Sequence, residues 1–321
     1  MFIPMTMISK IDKKQFHNQF THGFFCFIST LRNYLFCYGI NITDNELAAI
    51  LSYWGFQLAD EINENICGRH HSLSHLLESF FEKFNLSALD IKKDNQDQFL
   101  NQIVSLLNDN KRLLSWFDTY HLSYSNNYKT LHQNTILLLV QSTQNRLIFF
   151  DNNLYDGPFS LFKENLLMDK NKIYYNDTAI DFKKKYMVEA GLLSMIKNFF
   201  SKDLKRGLNG LIKLINVVKS YHLKEEFYNL FFQLNRPGGL TVSRKMLFDF
   251  INDSIPKAHG LNKRDLLNTY MNLTVLWKKI ANLSFKESFS YSKKVHDRIL
   301  ELLEETIQLE EKGMSSLKSI L

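Results

Sequence analysis

The chain has 321 residues, of which 45% are hydrophobic, so it can bury a large core and a disordered chain is excluded. Its longest aliphatic run, Ile136 to Val140, is far too short to cross a bilayer, and its N-terminus lacks the basic and apolar segments of a secretion signal, so we expect a cytoplasmic protein. The net charge of +6 comes from the C-terminal part, because residues 188–321 carry 21 Lys and Arg against 14 Asp and Glu, whereas residues 1–187 carry 18 against 19.

The basic C-terminal part would attract a polyanion, such as nucleic acid, an acidic membrane face or a small acidic protein. Lysines that serve only solubility are the plainer alternative. The sequence has no regular stripe of basic residues with exposed aromatic residues between them, which disfavours nucleic acid. We therefore expect neither nucleic acid nor a membrane as the partner.

The first predicted element is a helix from Phe27 to Tyr38, whose apolar side chains recur at helical spacing: Leu31, Tyr34, Leu35 and Tyr38. Gly39 supplies the left-handed residue that ends such a helix. Cys26 then lies at the first turn. The chain has only three cysteines, too few to staple a protein of this length, so we expect Cys26 to be a free thiol.

A second helix is predicted after Thr43, which forms a Thr-x-x-Glu capping box with Glu46. Two more helices are predicted at Ser72 to Phe84 and at Gln96 to Asn108. Four apolar residues would share one face of the capped helix: Leu47, Ile50, Leu51 and Trp54.

Strands are predicted next, at Arg112 to Leu122, Thr135 to Ser142 and Arg146 to Asp151, where apolar, aromatic and β-branched residues cluster. The residues TQN between the last two indicate a hairpin turn, and KIYYN indicates another strand. Beyond these strands only helical periodicity recurs, without a fixed repeat. We therefore predict an α+β fold in two domains: residues 1–187, with helices followed by an antiparallel sheet, and residues 188–321, an all-α helical domain.

A cysteine at the start of a helix can be a nucleophile, because the partial positive charge there stabilises the thiolate and nearby backbone N–H groups can meet a developing oxyanion. In papain-like proteins the histidine base and the residue that orients it come later, on strands of the sheet. His132 precedes one predicted strand and Asp151 ends the next. Cys26, His132 and Asp151 are therefore the catalytic candidates. In the alternative interpretation Cys26 is a small core residue and His132 lies in a solvated loop.

The segment CFISTLRNYLFCYGINITDNELAAI, which begins at Cys26, resembles the nucleophile helix of the papain-like superfamily that includes the double-glycine leader peptidases. It is more similar still to the N-terminal domain of the butirosin biosynthesis protein H family. CGRHHSL with Arg69, FDTYHLSYSNNYKTLH ending at His132 and LIFFDN with Asp151 carry the same resemblance. The C-terminal part resembles the second domain of that family in RPGGLTVSRKMLFDFINDS and LWKKIANL, so the likeness extends roughly over residues 20 to 285.

The resemblance implies a papain-like cysteine acyltransferase, which moves an acyl group from the phosphopantetheine arm of an acyl carrier protein to an amine. Cys26 would attack the carrier thioester, His132 would move protons and Asp151 would orient the imidazole. Gln19 would complete the oxyanion hole, with His22 as the alternative. The chain itself would bind no cofactor. The acidic carrier would suit the basic C-terminal part, and the acceptor would be a small amine or an aminoglycoside-like molecule.

One departure from the family pattern leaves alternatives open. Family members carry a histidine at the very start of the strand, where this chain has Asn134 or Thr135, and His132 matches the earlier histidine of a paired motif. Either His132 reaches the site from the loop, or the chain is an inactive homologue that binds acyl carriers. A papain-like peptidase or amide hydrolase, with water as the acceptor, is the remaining alternative.

Three basic residues are candidates for binding the substrate. Arg69 would clamp a carboxylate, with an ordinary surface arginine as the plainer interpretation. Gly238 and Gly239 precede a predicted helix that carries Arg244 and Lys245. This layout can hold a phosphate on backbone N–H groups, although a plain turn between helices has the same pattern.

A zinc site is the alternative chemistry at CGRHHSLSH, where Cys67, His70, His71 and His75 are residue types that zinc accepts and His71 and His75 lie one helical turn apart. Four ligands crowded into nine residues across a loop and a helix start are geometrically awkward, so we expect no metal. The stretch Leu300 to Gly313 predicts an amphipathic helix that packs on the bundle or pairs with another copy in a homo-oligomer.

Overall fold

The computed structural model describes residues 26–58, 67–69, 73–90, 96–118, 120, 122, 129–130, 134–144, 146–151, 159–162, 172–177, 180–236, 238–255 and 260–321. The chain divides into two compact units, which we call the sheet unit and the helical unit. The sheet unit comprises Met1–Asp44 and Phe81–Asp181, and the helical unit comprises Asn45–Phe80 and Phe182–Leu321.

The helices of the described residues are, in chain order, α1 (Cys26–Phe36), α2 (Asp44–Ile50), α3 (Leu73–Phe84), α4 (Gln96–Asn108), α5 (Lys184–Phe199), α6 (Gly207–Lys219), α7 (Lys224–Asn235), α8 (Leu240–Ser254), α9 (Gly260–Glu287) and α10 (Lys293–Ile320). The strands are β1 (Trp54–Gln57), β2 (Cys67–Arg69), β3 (Ser87–Asp90), β4 (Leu113–Asp118), β5 (Asn134–Ser142), β6 (Arg146–Phe150), β7 (Phe159–Phe162) and β8 (Lys172–Tyr175). The protein therefore mixes helix and sheet, and the α+β class is confirmed.

The sheet unit is built on six strands in the order β3-β8-β4-β5-β6-β7, with every neighbouring pair antiparallel. The predicted hairpin between β5 and β6 is confirmed, and the N–H of Thr143 donates to the carbonyl of Arg146 at 2.8 Å in its turn. The predicted strand from Arg112 to Leu122 forms only over Leu113–Asp118. Strands β1, β2, β3 and β7, each three or four residues long, were not predicted.

Helices cover both faces of this sheet. On one face, Ile103 and Leu107 of α4 join a buried cluster with Leu137 and Leu139 of β5. Since successive side chains of a strand point to opposite faces, Trp116 of β4 lies on the other face. There α1 packs against β5, and the ring of Phe27 stacks on Trp116 with 6.0 Å between centroids. The central strand β5 is thus buried from both sides.

The helical unit combines α5 to α10 with the short hairpin of β1 and β2. Helix α9 packs against α7, α8 and α10, while β1 packs against α5, α6 and α8. The all-α content expected after residue 188 is found in the described residues, but the unit also recruits residues 45–80. The observed division therefore differs from the boundary expected at residue 187, because the β1–β2 hairpin contacts the C-terminal helices. No helix in the described ranges is both long enough and apolar enough to span a membrane.

Trp54 does not lie on the second helix, as the apolar spacing had predicted. Helix α2 ends at Ile50, and Ser52 follows with a φ of 53°, held there by a hydrogen bond from its hydroxyl to the carbonyl of Gly191 at 2.8 Å. The chain then turns into β1. Trp54 is fully buried, with its ring 5.2 Å from that of Phe250.

Candidate functional site around Cys26

Cys26 is the first residue of α1 and is partly exposed. The next five residues of the helix, from Phe27 to Leu31, are all buried. The carbonyl of Cys26 accepts a hydrogen bond from the hydroxyl of Thr30 at 2.9 Å, one turn further on. The predicted helix and its glycine stop are confirmed, since Gly39 has a φ of 77°. Cys26 is therefore placed by a largely buried helix, while the residue itself keeps some exposure.

A partly buried polar cluster fixes α1, and the sequence had not predicted it. The hydroxyl of Ser29 donates to Asp44 at 2.7 Å, and Nε of Arg32 lies 3.2 Å from the same carboxylate. Burial raises the pKa of Asp44, while Arg32 and Ser29 oppose that rise. The cluster joins one turn of α1 to the start of α2, so it limits rotation of the helix that carries Cys26.

Asp151 directly follows β6, and its side chain is buried. Strand β6 pairs with β5, the strand that α1 contacts. Two of the three catalytic candidates thus belong to the sheet unit: Cys26 at the start of α1 and Asp151 directly after β6. His132 and Gln19, like the alternative His22, lie outside the described residues. Strand β5 begins at Asn134, whose register partner is Asp118 of β4.

Cys37 offers a contrast within the same helix region. Burial raises the pKa of the Cys37 thiol to about 11, although the nearby Arg112 opposes this shift. A thiol with such a pKa stays protonated at neutral pH and is a poor nucleophile. Of the two cysteines whose side chains the structure describes, Cys26 therefore has the better placement for nucleophilic chemistry.

Arg244 is not available to bind a substrate phosphate, contrary to the expectation from sequence. Its side chain is fully buried in the helical unit, where Nε donates to Glu310 at 2.6 Å and a terminal nitrogen donates to the carbonyl of Gly55 at 3.0 Å. Its neighbour Lys245 is exposed and forms an ion pair with Asp249 one turn along α8. Arg69 lies in β2, and its side chain is outside what the structure describes.

The two glycines before α8 form a tight turn between helices. Gly238 has a φ of 82°, and a Cβ on Gly239 would lie 2.5 Å from the carbonyl oxygens of Gln233 and Leu234. The hydroxyl of Thr241, in the first turn of α8, donates to the carbonyl of Leu234. These contacts show that the glycines are needed because α8 packs closely on the end of α7. The motif is therefore a turn between helices, the plainer of the two interpretations.

The zinc alternative gains no support from the described residues, among which no group of three or more His, Cys, Asp and Glu side chains is arranged to hold a metal. Cys67 lies in β2 and His75 in α3, while His70 and His71 fall outside the described ranges.

A polar cavity of about 470 Å³ opens at the other end of α1 from Cys26. An ion pair between Lys111 and Asp177, 3.1 Å apart, lies on its wall. Its remaining lining residues are Tyr38, Asp109, Asn110, Asn176 and Ile180. Eleven residues of helix rise about 16 Å, so this cavity is separate from the nucleophile candidate.

No family model matches the chain. No curated protein matches it significantly either.

Proposed function

We propose that the chain is a cysteine-dependent acyltransferase with a papain-like sheet unit, which moves an acyl group from an acyl carrier protein to an amine in cytoplasmic natural-product biosynthesis. The observation that carries this proposal is Cys26, a partly exposed residue at the start of a helix that is otherwise buried against the central strand of an antiparallel sheet.

In the proposed reaction Cys26 passes its thiol proton to His132, and the sulfur attacks the carbonyl carbon of the carrier thioester. A carbon–sulfur bond forms to Cys26, the bond to the phosphopantetheine sulfur breaks, and that thiol leaves with a proton supplied by His132. The amine nitrogen then attacks the acyl-cysteine and passes its proton to His132, the carbon–sulfur bond breaks, and Cys26 leaves with that proton. Asp151 would orient the imidazole, and Gln19 would stabilise the oxyanion. The phosphopantetheine arm belongs to the carrier, so this chain's residues do only the acyl transfer.

Transfer to an amine requires that water be excluded from the acyl-cysteine. Thioester exchange is nearly isoenergetic, so the enzyme's main tasks would be to position the amine and to keep water away. A papain-like peptidase or amide hydrolase would use the same nucleophile with water as the acceptor. The two activities differ in their product: an amide for the transferase, a free acid for the hydrolase.

A second candidate is a non-catalytic protein that binds acyl carriers. Strand β5 begins with Asn134 and Thr135, one of which stands where the resembling family has its histidine, and neither side chain can replace an imidazole as general base. This candidate predicts carrier binding without any acyl adduct.

Mass spectrometry of the intact protein after incubation with an acylated carrier protein separates these candidates. The acyltransferase gives a mass increase equal to the acyl group that disappears in Cys26→Ala and remains in the matched control Cys37→Ala. Added amines should then be acylated. Release of free acid without amide product would favour the hydrolase, and tight carrier binding without any adduct would favour the non-catalytic protein.

A further inference from the structure

Four aromatic rings of the helical unit form a continuous strip along the neighbouring helices α7 and α9, which we call the aromatic strip. Its centroid distances are 6.2 Å from Tyr228 to Phe231, 4.6 Å from Phe231 to Phe285 and 4.8 Å from Phe285 to Phe289. The first two rings belong to α7, Phe285 belongs to α9, and Phe289 lies just beyond the end of α9.

The strip faces solvent to an extent that is unusual for aromatic side chains. Tyr228 is 50% exposed, Phe285 39% and Phe289 63%, and Phe232 extends the surface along α7 with 50%. The inward face of α7 is already apolar, since it buries Phe227, Leu230 and Leu234. A helix with one apolar face in the core normally presents polar residues on the other. The second apolar face of α7 therefore marks an interaction surface.

The charges on the α9 side of the strip are almost all positive. Residues 275–294 carry five lysines and one carboxylate, and the carboxylate, Glu287, is fully buried and accepts the N–H of Ser292 at 2.7 Å. Lys278 lies seven residues before Phe285 on α9 and thus on the same face, and Lys286 follows Phe285 directly. On α7, the exposed Lys224 and Glu225 offset each other, while the half-buried Glu226 accepts the backbone N–H groups of His222 and Leu223.

This charge pattern decides which partner fits the surface. A second copy of the chain would bring lysines of both copies together across the same apolar strip, which costs free energy. An acidic helix with apolar side chains would place its carboxylates on the lysines and its apolar side chains on the rings. We propose that the aromatic strip and its lysines dock the acidic acyl carrier protein. That the partner is an acyl carrier rests on the proposed function. That the partner is acidic and helical rests on the charges and rings of the surface itself.

The test measures binding separately from catalysis. Isothermal titration calorimetry uses the full chain with Cys26→Ala and a purified, strongly acidic bacterial acyl carrier protein in its holo form. We expect saturable binding that weakens as ionic strength rises. Replacing both Lys278→Glu and Lys286→Glu should weaken it about tenfold or more, and Phe289→Ser should have a similar effect. Lys312→Glu and Leu204→Ser are the matched controls, exposed elsewhere in the helical unit, and should change the dissociation constant less than about twofold.

Three results would overturn the docking proposal: no binding of the carrier to the Cys26→Ala chain, equal weakening in the controls, or unchanged binding in the strip variants. Binding to phosphatidylglycerol vesicles, lost in the strip variants while the carrier does not bind, would assign the surface to a membrane instead. Loss of a dimer in the strip variants, seen by analytical ultracentrifugation, would assign it to a second copy. Failure of the proposed function gives a different result. The carrier would then bind to the strip but would never acylate Cys26 in the wild-type chain.

Discussion

Nε of Arg244 and a carboxylate oxygen of Glu310 lie 2.6 Å apart in the helical unit, with both side chains fully buried. The same oxygen accepts the indole N–H of Trp277 at 2.8 Å, and the guanidinium also donates to the carbonyl of Gly55. One ion pair thus ties α8, α9 and α10 to the β1–β2 hairpin. This network explains why residues 45–80 belong to the helical unit.

Removing one partner of this pair should be costly, because the other charge then stays buried without compensation. We expect Arg244→Met to lower the free energy of unfolding by about 3–5 kcal/mol. Lys245→Met, which breaks an exposed pair on the same helix, should change it by less than about 0.5 kcal/mol. Urea denaturation followed by circular dichroism measures both. A loss below about 1 kcal/mol in Arg244→Met would contradict the buried pair.

Gly191 should tolerate no side chain, although it lies within helix α5. A Cβ there would lie 2.1 Å from the carbonyl oxygen of Ala49 and 2.7 Å from that of Ile50, so the backbone of α2 would have to move. Replacing glycine by alanine inside a helix ordinarily stabilises by about 0.5–1 kcal/mol. Here we expect Gly191→Ala to destabilise by about 1–3 kcal/mol in thermal or urea unfolding.

The exposed Ser194→Ala on the same helix is the control for Gly191→Ala. It should leave stability unchanged or raise it by a few tenths of a kcal/mol, roughly the gain in helix propensity. Stabilisation by Gly191→Ala would mean that α2 and α5 do not pack as closely as described.

The two cysteines whose side chains the structure describes, Cys26 and Cys37, should differ in their response to pH. Cys26 is partly exposed at a helix start, so iodoacetamide should alkylate it near neutral pH. Burial raises the pKa of Cys37 from its ordinary value of 9.0 to about 11, so its alkylation should begin only in strongly alkaline solution. Peptide mapping by mass spectrometry resolves the two sites. Faster alkylation of Cys37 at neutral pH would contradict this assignment.

Because its pKa is raised on folding, Cys37 should make the protein less stable as the pH becomes strongly alkaline. The folded state holds the proton more tightly than the unfolded state, so the contribution of this thiol to stability is complete below pH 9.0 and is lost as the pH rises toward about 11. The serine hydroxyl of Cys37→Ser does not titrate in this range. The variant should therefore lack the part of the stability loss at alkaline pH that comes from Cys37. Urea midpoints measured across this pH range test the expectation.

His132 should be the base if the proposed reaction occurs. His132→Ala is then expected to slow acylation of Cys26 by about 100-fold or more, since general acid–base catalysis contributes that much. His75→Ala, an exposed histidine on α3, is the control and should leave the rate unchanged. Quenched-flow mass spectrometry follows the acyl adduct. An unchanged rate in His132→Ala would remove this residue from the mechanism.

Asp151 should act through the histidine rather than on the substrate. Asp151→Asn keeps the size of the side chain but removes its charge, so the imidazolium that forms during transfer loses its stabilisation. We expect a lower rate of acylation and a displaced acid limb in the pH–rate profile. A loss of folding alone would lower the rate without moving that limb.

Local signals accounted for α1 and the β5–β6 hairpin. The spacing of apolar residues, the glycine at position 39 and the TQN turn act over a few residues, and the structure has all three features where they were predicted. The strands β1, β2, β3 and β7 were missed because segments of three or four residues carry too little pattern. Trp54 was misplaced because the left-handed Ser52 is held by the distant Gly191.

By itself, the sequence determined the α+β class, the helix that begins at Cys26, the antiparallel hairpin and the helical character of the C-terminal part. Only the tertiary structure decided that residues 45–80 join the helical unit, that Arg244 is buried against Glu310 and that the aromatic residues of α7 face solvent. The physical reason is that periodicity and turn residues act through neighbours in the chain. The partner of a charged or aromatic side chain is set instead by packing between elements far apart in sequence.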